Sequence, residues 1–242
     1  MNIGLLGGTF DPVHRGHLAV ARAAARKFRL EQVLFVPSSV PPHRQGRPLA
    51  PYHHRFAMLT LALQRKRSFV PSSLEAPPEP GAPAFSCGPG FSYSIDTVRA
   101  LKRHLGKNDK LFFLIGIDAF MDIAKWHESE ALLREVDFIV ASRPEFSLGD
   151  IGKALPQSLR PDLKTIRTFR NAATTLPLGA TAVHLLDDVN VRISASQVRA
   201  AARRGASLGR LVDPAVAEYI RKTHLYRPSS EGQQARRKFR AL

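Results

Sequence analysis

The sequence predicts an α/β fold in which helices cover both faces of a parallel sheet. Five short apolar runs are nearly continuous rather than alternating, as in strands that are buried on both faces. Segments with helical periodicity separate these runs, and such alternation forms βαβ units with right-handed crossovers. The chain has 242 residues, 44% of them hydrophobic, which suffices for one large domain or two small ones.

The predicted strands and helices alternate from the first residues of the chain. The strands are Ile3–Leu6, Val33–Val36, Leu111–Ile115, Phe138–Ala141 and Ala182–Leu186. After Gly16, a helical face is formed by Leu18, Ala21, Ala25 and Phe28. Two more helices are predicted over Tyr52–Leu63 and Ile95–Leu105. An α+β fold with some antiparallel pairing is the alternative.

Three segments do not fit this pattern. Residues 76–90 are rich in proline and glycine and predict a loop. Residues 144–180 have weak periodicity and predict an irregular insertion. Residues 228–242 are polar and then basic, which predicts a disordered tail. We therefore expect a single domain over residues 1–227.

Charge and cysteine content narrow the class of protein. The chain carries 36 Lys and Arg against 20 Asp and Glu, a net charge of +16, which attracts nucleotides, nucleic acid or an anionic membrane. The single cysteine, Cys87, excludes an intrachain disulfide and fits a reducing compartment. Met1 leads into a strand-like run without a signal peptide, and no apolar run approaches the ~18 residues of a membrane span. We expect a soluble, cytoplasmic protein.

The stretch GGTFDPVHRGHL follows the first predicted strand. Ligands of open α/β sheets bind beyond the carboxyl ends of the strands. Gly7 and Gly8 predict a sharp turn there, with the backbone close to a ligand. Gly16 and His17 open the next helix, whose free N–H groups and dipole favour an anion. Because His14 lies three residues before His17, both imidazoles can point at one phosphate.

Other interpretations of these histidines are open. Two histidines can ligate a metal ion, although no cysteine or further histidine lies nearby in the sequence. Either histidine alone is more simply a hydrogen-bonded loop residue. The stretch lacks the G-x-G-x-x-G spacing of dinucleotide-binding loops, and the pattern as a whole favours a bound phosphate.

The same stretch resembles the signature of the nucleotidyltransferases that carry H-x-G-H at the start of their first helix. The resemblance implies a dinucleotide-binding-like (Rossmann-like) fold and transfer of a nucleotidyl group from a nucleoside triphosphate. It makes His14 and His17 catalytic. The residues that it places against ATP in this stretch are Gly7, Gly8, Thr9, Phe10 and Gly16.

The second half of that signature is a serine-rich segment with an arginine at the start of a late helix. The chain has ISASQVRAA in that place, after the last predicted strand. Ser194 is a good N-cap, and Ser196 and Arg199 lie in the first turns. The resemblance implies that Ser194 and Ser196 bind ATP and that Arg199 is catalytic, with charge-assisted hydrogen bonds to the triphosphate. Ala195 and Ser196 depart from the two serines and a threonine usual in the family. A helix cap with a surface arginine is the alternative.

Four segments resemble the bacterial nicotinate-mononucleotide adenylyltransferases of this superfamily. They are PSSVPPHR, YSIDTV, FLIGIDAFMDIAKWHESEALL and FIVASRP, which begin at residues 37, 93, 113 and 138. The resemblance runs in register over residues 1–144 and 181–226. It implies adenylyl transfer from ATP to nicotinate mononucleotide, with Mg²⁺ bridging the substrate phosphates and held mostly by substrate and water.

The resemblance assigns residues of these segments to the mononucleotide. Trp126, the only tryptophan, stacks on the pyridine ring, or else anchors a helix to the core. Gly116 and Asp118 both bind the mononucleotide; Asp118 accepts hydrogen bonds from the ribose, or else caps a helix. Ser94 and Thr97 open a helix whose N–H groups suit the nicotinate carboxylate.

Three basic residues complete the predicted site. His43 and Arg44 lie on a proline-stiffened loop and reach a phosphate of the mononucleotide. The family more often has lysine at position 44, and arginine keeps the charge. Arg143 follows a strand end and contacts the adenylate side.

Two rivals to this function stay open at this point. One is another adenylyl- or cytidylyltransferase of the same fold with a different phosphate acceptor. The other is a basic nucleic-acid-binding protein, although the chain has no recognisable nucleic-acid-binding module and only 8% aromatic residues. We expect ATP and nicotinate mononucleotide as partners, and neither nucleic acid nor a membrane.

Overall fold

The computed structural model describes residues 1–42, 48–77, 92–142, 147–162, 174–187, 189 and 193–227. The predicted site residues His43, Arg44 and Arg143 lie outside these ranges. So do the predicted tail over residues 228–242 and most of the predicted loop over residues 76–90.

A seven-stranded sheet runs through the molecule in the order β3-β2-β1-β4-β5-β7-β6. The strands are β1 Asn2–Gly8, β2 Gln32–Pro37, β3 Phe69–Pro71, β4 Lys110–Gly116, β5 Asp137–Ala141, β6 Thr175–Pro177 and β7 Ala182–Leu186. All neighbours pair in parallel except β6 and β7. The order winds outwards from β1 in both directions, so a switch point lies between β1 and β4, where such sheets bind ligands.

The five predicted strands are confirmed, and two edge strands were missed. Strands β3 and β6 have three residues each, too few to show an apolar run. β6 pairs antiparallel with β7, with Leu176 opposite Val183. The predicted α/β class is therefore right, and the antiparallel pairing of the alternative fold occurs at one edge only of the described sheet.

The described α-helices alternate with these strands. They are α1 Arg15–Lys27, α2 Tyr52–Leu63, α3 Ser94–Lys102, α4 Ile117–Phe120, α5 Ser129–Glu135, α6 Leu148–Ala154, α7 Ala195–Arg203 and α8 Pro214–Thr223. Short 3₁₀ turns cover Ile123–Lys125 and Gln157–Leu159. The bounds predicted for α2 are confirmed, whereas α3 ends three residues before the predicted Leu105.

Helix α6 lies inside the segment that was predicted to be irregular. Ser147 caps it, because its hydroxyl accepts a hydrogen bond from the Asp150 N–H at 3.3 Å and the Asp150 carboxylate accepts one from the Ser147 N–H at 3.0 Å. This reciprocal capping satisfies two backbone donors of the first turn. The prediction over residues 144–180 was wrong for α6 and for β6.

Helices cover both faces of the sheet. On one face, α1, α2, α7 and α8 bury Leu18, Met58, Val198 and Val216. On the other face, α3, α4, α5 and α6 bury Ile95, Phe120, Leu132 and Ile151. No helix among the described residues is long and apolar enough to cross a membrane.

Candidate functional site

The loop after β1 makes its sharp turn at Phe10 rather than at the glycines. Gly7 and Gly8 are the last two residues of β1, and Phe10 has a positive φ of 45°. The Phe10 ring is buried, with its centroid 5.0 Å from that of His17 and 5.9 Å from that of Phe35. This packing holds a backbone conformation that a bulky residue rarely adopts. The turn predicted at Gly7 and Gly8 was therefore placed two to three residues too early.

His14 and His17 come together at the start of α1, as their spacing predicts. His14 is the N-cap residue, and the two rings stack with centroids 3.7 Å apart. The backbone N–H of His14 donates to Nδ1 of His17 at 3.1 Å. Because Nδ1 of His17 accepts this hydrogen bond, the neutral ring carries its proton on Nε2 and is still a donor to a ligand.

Burial keeps this histidine pair neutral. It lowers the pKa of His14 to about 4, and it lowers the pKa of His17 well below the usual value, with a smaller effect from the neighbouring His14. Nδ1 of His14 is buried and has no hydrogen-bond partner among the described residues.

Gly16 allows the second motif to approach the first. A Cβ atom at this position would lie 2.9 Å from His14 Nδ1 and 3.3 Å from the backbone oxygen of Ile193. Ile193 directly precedes the N-cap residue of α7. The absence of a side chain at Gly16 is therefore what lets the histidine ring and the start of α7 share this space.

Arg199 joins the two motifs across 188 residues of sequence. Its Nη1 donates to the backbone oxygen of Asp11 at 2.7 Å, and its Nη2 donates to Oγ of Ser196 at 3.2 Å. The side chain is only 19% exposed, so it is not the surface arginine of the alternative interpretation. Ser194 does cap α7, because its hydroxyl accepts from the Gln197 N–H at 3.2 Å.

On the other side of β1, the start of α3 presents Ser94 but not the hydroxyl of Thr97. Ser94 is the first residue of α3 and is partly buried. Thr97 is buried, and its hydroxyl contacts Glu75 Oε1 at 2.5 Å and the backbone oxygen of Tyr93 at 3.2 Å. The expectation that both hydroxyls face a ligand therefore fits Ser94 better than Thr97.

The segment after β4 carries the other predicted acceptor residues. Gly116 is the N-cap of α4, so the alternative role of Asp118 as a cap was wrong, and Asp118 is an exposed residue of the first turn. Trp126 is partly buried and packs edge-on against Phe113, with ring centroids 6.3 Å apart. One edge of Trp126 is anchored to the core, as the alternative interpretation held, and part of the ring stays accessible.

Two contacts bring the predicted acceptor segments together. The rings of Tyr93 and His127 stack with centroids 4.2 Å apart, which joins the start of α3 to the segment of Trp126. Ser92 Oγ accepts from the backbone N–H of Ser39 at 3.0 Å, which joins the segment just before α3 to the loop after β2. His43 and Arg44 follow that loop in the sequence.

Arg55 is a residue of the site that the sequence analysis missed. It is 2% exposed, and its guanidinium donates to the backbone oxygens of Thr9 and Ser38, both at 2.8 Å. It thereby ties the loop after β1 to the loop after β2. The sequence does contain a signal for Arg55, because the helical pattern of α2 places this charged residue among buried positions.

Comparisons with known proteins show which family this chain is similar to. The model of the cytidylyltransferase-like family matches residues 5–201. A protein of Moorella thermoacetica named probable nicotinate-nucleotide adenylyltransferase is 36% identical over 231 residues, which is 95% of this chain and 94% of that protein. A protein of Geobacter sulfurreducens with the same name is 35% identical over 226 residues, 93% of this chain and 98% of its own length.

Solved structures give the same fold. A Plasmodium falciparum nicotinic acid mononucleotide adenylyltransferase, solved in complex with NaAD, superposes with a TM-score of 0.64 at 21% sequence identity. The alignment covers 93% of this chain and 97% of that one.

Proposed function

The chain belongs to the cytidylyltransferase-like family, and on that premise we propose that it transfers the adenylyl group of ATP to nicotinate mononucleotide. The products are nicotinate adenine dinucleotide and pyrophosphate, in NAD biosynthesis. The names of the relatives support this activity. The observation that carries it is the contact of Arg199 with the loop of His14 and His17 at the switch point of the sheet.

The reaction needs no general base in this proposal. A phosphate monoester has its second pKa near ~6, so the mononucleotide phosphate is already ionised at neutral pH. Its oxygen attacks the α-phosphorus of ATP in line, a new P–O bond forms, and pyrophosphate leaves with the electron pair of the broken bond. Catalysis then consists of positioning two anions and stabilising the charge that develops.

The triphosphate end supplies donors for this purpose. We assign the Nε2–H of His17, together with His14, to the phosphate oxygens that gain charge, and Arg199 to the leaving pyrophosphate. Backbone from Gly7 to Phe10, with Gly16, Ser194 and Ser196, lines the ATP in this proposal, and Arg143 contacts the adenylate. The neutral state of the two histidines fits a role as hydrogen-bond donors rather than as fixed cations.

ATP enters this proposal as its Mg²⁺ complex. The part of the chain that the structure describes holds no group of three or more His, Cys, Asp or Glu side chains that could bind a metal ion. Mg²⁺ prefers oxygen ligands and keeps much of its water in nucleotide enzymes. In this proposal the phosphates of the substrate would hold the ion, which would neutralise part of their charge.

The acceptor end receives the mononucleotide in this proposal. Ser94 and the N–H groups at the start of α3 bind the nicotinate carboxylate, with Thr97 shaping the helix start. The accessible part of Trp126 stacks on the pyridine ring, and Asp118, beside Gly116, accepts from the ribose. His43 and Arg44 bind the phosphate.

A panel of acceptors, assayed for pyrophosphate release with ATP and Mg²⁺, tests the proposal. The panel is nicotinate mononucleotide, its amide, phosphopantetheine and glycerol phosphate. We expect nicotinate mononucleotide to give the highest kcat/KM, at least about tenfold above the amide, because an amide NH₂ facing the α3 donors leaves buried groups unpaired at about 1–3 kcal/mol each. A higher rate with another acceptor would contradict the assigned acceptor.

A further inference from the structure

Tyr226 reaches the first motif from the far end of the folded chain. It lies three residues after α8, has a positive φ of 65°, and packs against the core on the α1 and α2 face. Its hydroxyl donates to Oδ1 of Asp11 at 2.7 Å. Asp11 is 2% exposed and lies in the turn between Phe10 and His14. The hydrogen bond between Tyr226 and Asp11 thus links residues that are 215 positions apart in the sequence, and Asp11 lies in the loop that leads to the histidine pair.

Asp11 contacts Tyr226 and Arg199, and its charge also acts on the buried guanidinium of Arg55. While Oδ1 of Asp11 accepts from Tyr226, Oδ2 lies 3.9 Å from Nη1 of Arg199, and the backbone oxygen of Asp11 accepts from the same Nη1 at 2.7 Å. Among the described residues, the Ala50 N–H also donates to Oδ1, at a long 3.4 Å. The hydroxyl of Tyr226 therefore donates the short hydrogen bond to Oδ1, and this bond fixes the orientation of the Asp11 carboxylate.

We propose that Tyr226 is a positioning residue for adenylyl transfer, which acts through Asp11 on the guanidinium of Arg199. The inference rests on the function proposed above. Without the hydroxyl, the Asp11 carboxylate loses its short hydrogen bond, and its charge is then compensated more fully by Arg199, whose Nη1 already lies 3.9 Å from Oδ2. Arg199 is then drawn onto Asp11 and away from the phosphates that it would bind.

The surroundings of Tyr226 fit this role. Burial, followed by the neighbouring Asp11, raises the pKa of the Tyr226 hydroxyl, so it stays a donor at physiological pH. The segment before α8 is held to the start of α1, directly after His14, because Nε of Arg15 donates to the backbone oxygen of Val212 at 3.1 Å. The C-terminal part of the described chain therefore contacts the region of the histidine pair through Tyr226 and through Val212.

The test compares Tyr226→Phe with Tyr219→Phe. Tyr219 is the matched control, since it lies on α8 and its hydroxyl also makes one short contact, 2.8 Å to Nδ1 of His54. We expect Tyr226→Phe to lower kcat and to weaken the affinity for pyrophosphate by about tenfold each, the size of one hydrogen bond to a charged group. The KM for nicotinate mononucleotide should not change, and Tyr219→Phe should change none of these values. Equal effects of both substitutions would overturn the proposal.

A double-mutant cycle with Arg199→Ala decides whether Tyr226 acts through the arginine. In the Arg199→Ala background, Tyr226→Phe should change the pyrophosphate affinity by less than about twofold, because the coupling is lost. A full tenfold effect in that background would overturn the proposal. Equilibrium binding of pyrophosphate keeps this test separate from the proposed function, which fails if the wild-type chain does not adenylylate nicotinate mononucleotide.

If Tyr226→Phe lowers the melting temperature by more than about five degrees, Asp11→Asn replaces it. The amide keeps the size of the side chain and still accepts from Tyr226, but it lacks the charge that faces Arg199. The proposal then expects a changed pyrophosphate affinity at unchanged KM for the mononucleotide, and an unchanged affinity would overturn it.

Discussion

At the proposed triphosphate end of the site, one short stretch of sequence supplies the two histidines and meets a single distant helix, whereas the proposed acceptor end is built from several segments. His14, Gly16 and His17 lie within four residues, and Arg199 joins them through one short contact to Asp11. The acceptor end is assembled from the start of α3, the loop after β2 and the segment of Trp126, which meet through ring stacking and a serine hydroxyl.

The two ends also differ in how far they are closed before a ligand binds. The histidines of the triphosphate end are desolvated, and one of their nitrogens is buried without a partner among the described residues. Asp118 is exposed and Trp126 partly so. A preorganised, water-poor site suits the chemical step, since fixed donors then act on developing charge without reorganising. An open site suits the selection of one acceptor.

The largest effect should come from the triphosphate end. His17→Ala should lower kcat about 10²–10³-fold, because one preorganised donor to transition-state charge is worth ~2.7–4 kcal/mol. Steady-state kinetics measure this, and the melting temperature shows whether the variant is folded. His104→Ala, an exposed histidine after α3, is the control and should leave kcat unchanged. A folded His17→Ala variant with near-wild-type kcat would remove His17 from the chemistry.

Acid should destabilise the triphosphate end as well. The pKa of His14 falls from about 6.5 in the unfolded chain to about 4 in the fold, so between these values the unfolded state binds the extra proton. The stability linked to His14 is complete above pH 6.5 and is lost as the pH falls toward 4, by at most about 3 kcal/mol.

Thermal unfolding between pH 7 and pH 4 measures this loss. Because other groups titrate in the same range, the informative quantity is the difference between the wild type and His14→Gln, which should lose less stability over that interval. His127, which is half exposed beside Tyr93, provides the control substitution His127→Gln at the acceptor end. The same pH dependence in wild type and His14→Gln would mean that the buried ring does not control acid lability.

The next effect should appear at the acceptor end. Trp126→Ala should raise the KM for nicotinate mononucleotide about threefold to tenfold, since aromatic stacking contributes ~0.5–1.5 kcal/mol, and should leave the KM for ATP nearly unchanged. Trp126→Phe keeps a ring and should lie in between. A rise in the KM for ATP alone would place Trp126 on the adenine side, and loss of folding would leave it only the anchoring role that its contact with Phe113 indicates.

The sequence predicted correctly those parts of the molecule whose structure depends on residues close together in the chain. Each of the five predicted strands has an apolar run of its own, and the three-residue edge strands β3 and β6 do not. Helix α6 was missed because a capping box, and not a long apolar face, defines its start. The histidine pair was found since its spacing alone puts both rings at one helix start.

The parts that were missed depend on contacts between distant residues. The orientation of Thr97 is set by Glu75, 22 residues earlier. Arg55 binds the backbone oxygen of Thr9 across 46 residues, and Tyr226 binds Asp11 across 215. In each case a polar side chain makes a hydrogen bond to a buried group that comes near only when the chain folds. The spacing of apolar residues along the sequence contains no information about such partners.

The smallest effect is expected from deleting residues 228–242, which the structure does not describe and which the proposed site does not include. Deleting them should leave kcat/KM within about a factor of two, because polar chain ends rarely contribute to a packed site. That deletion keeps Tyr226, whose hydroxyl lies 2.7 Å from Asp11 Oδ1, whereas a deletion that begins two residues earlier removes it and should lower kcat about tenfold. A tenfold loss from the shorter deletion at unchanged melting temperature would instead assign the tail's four basic residues to the triphosphate end.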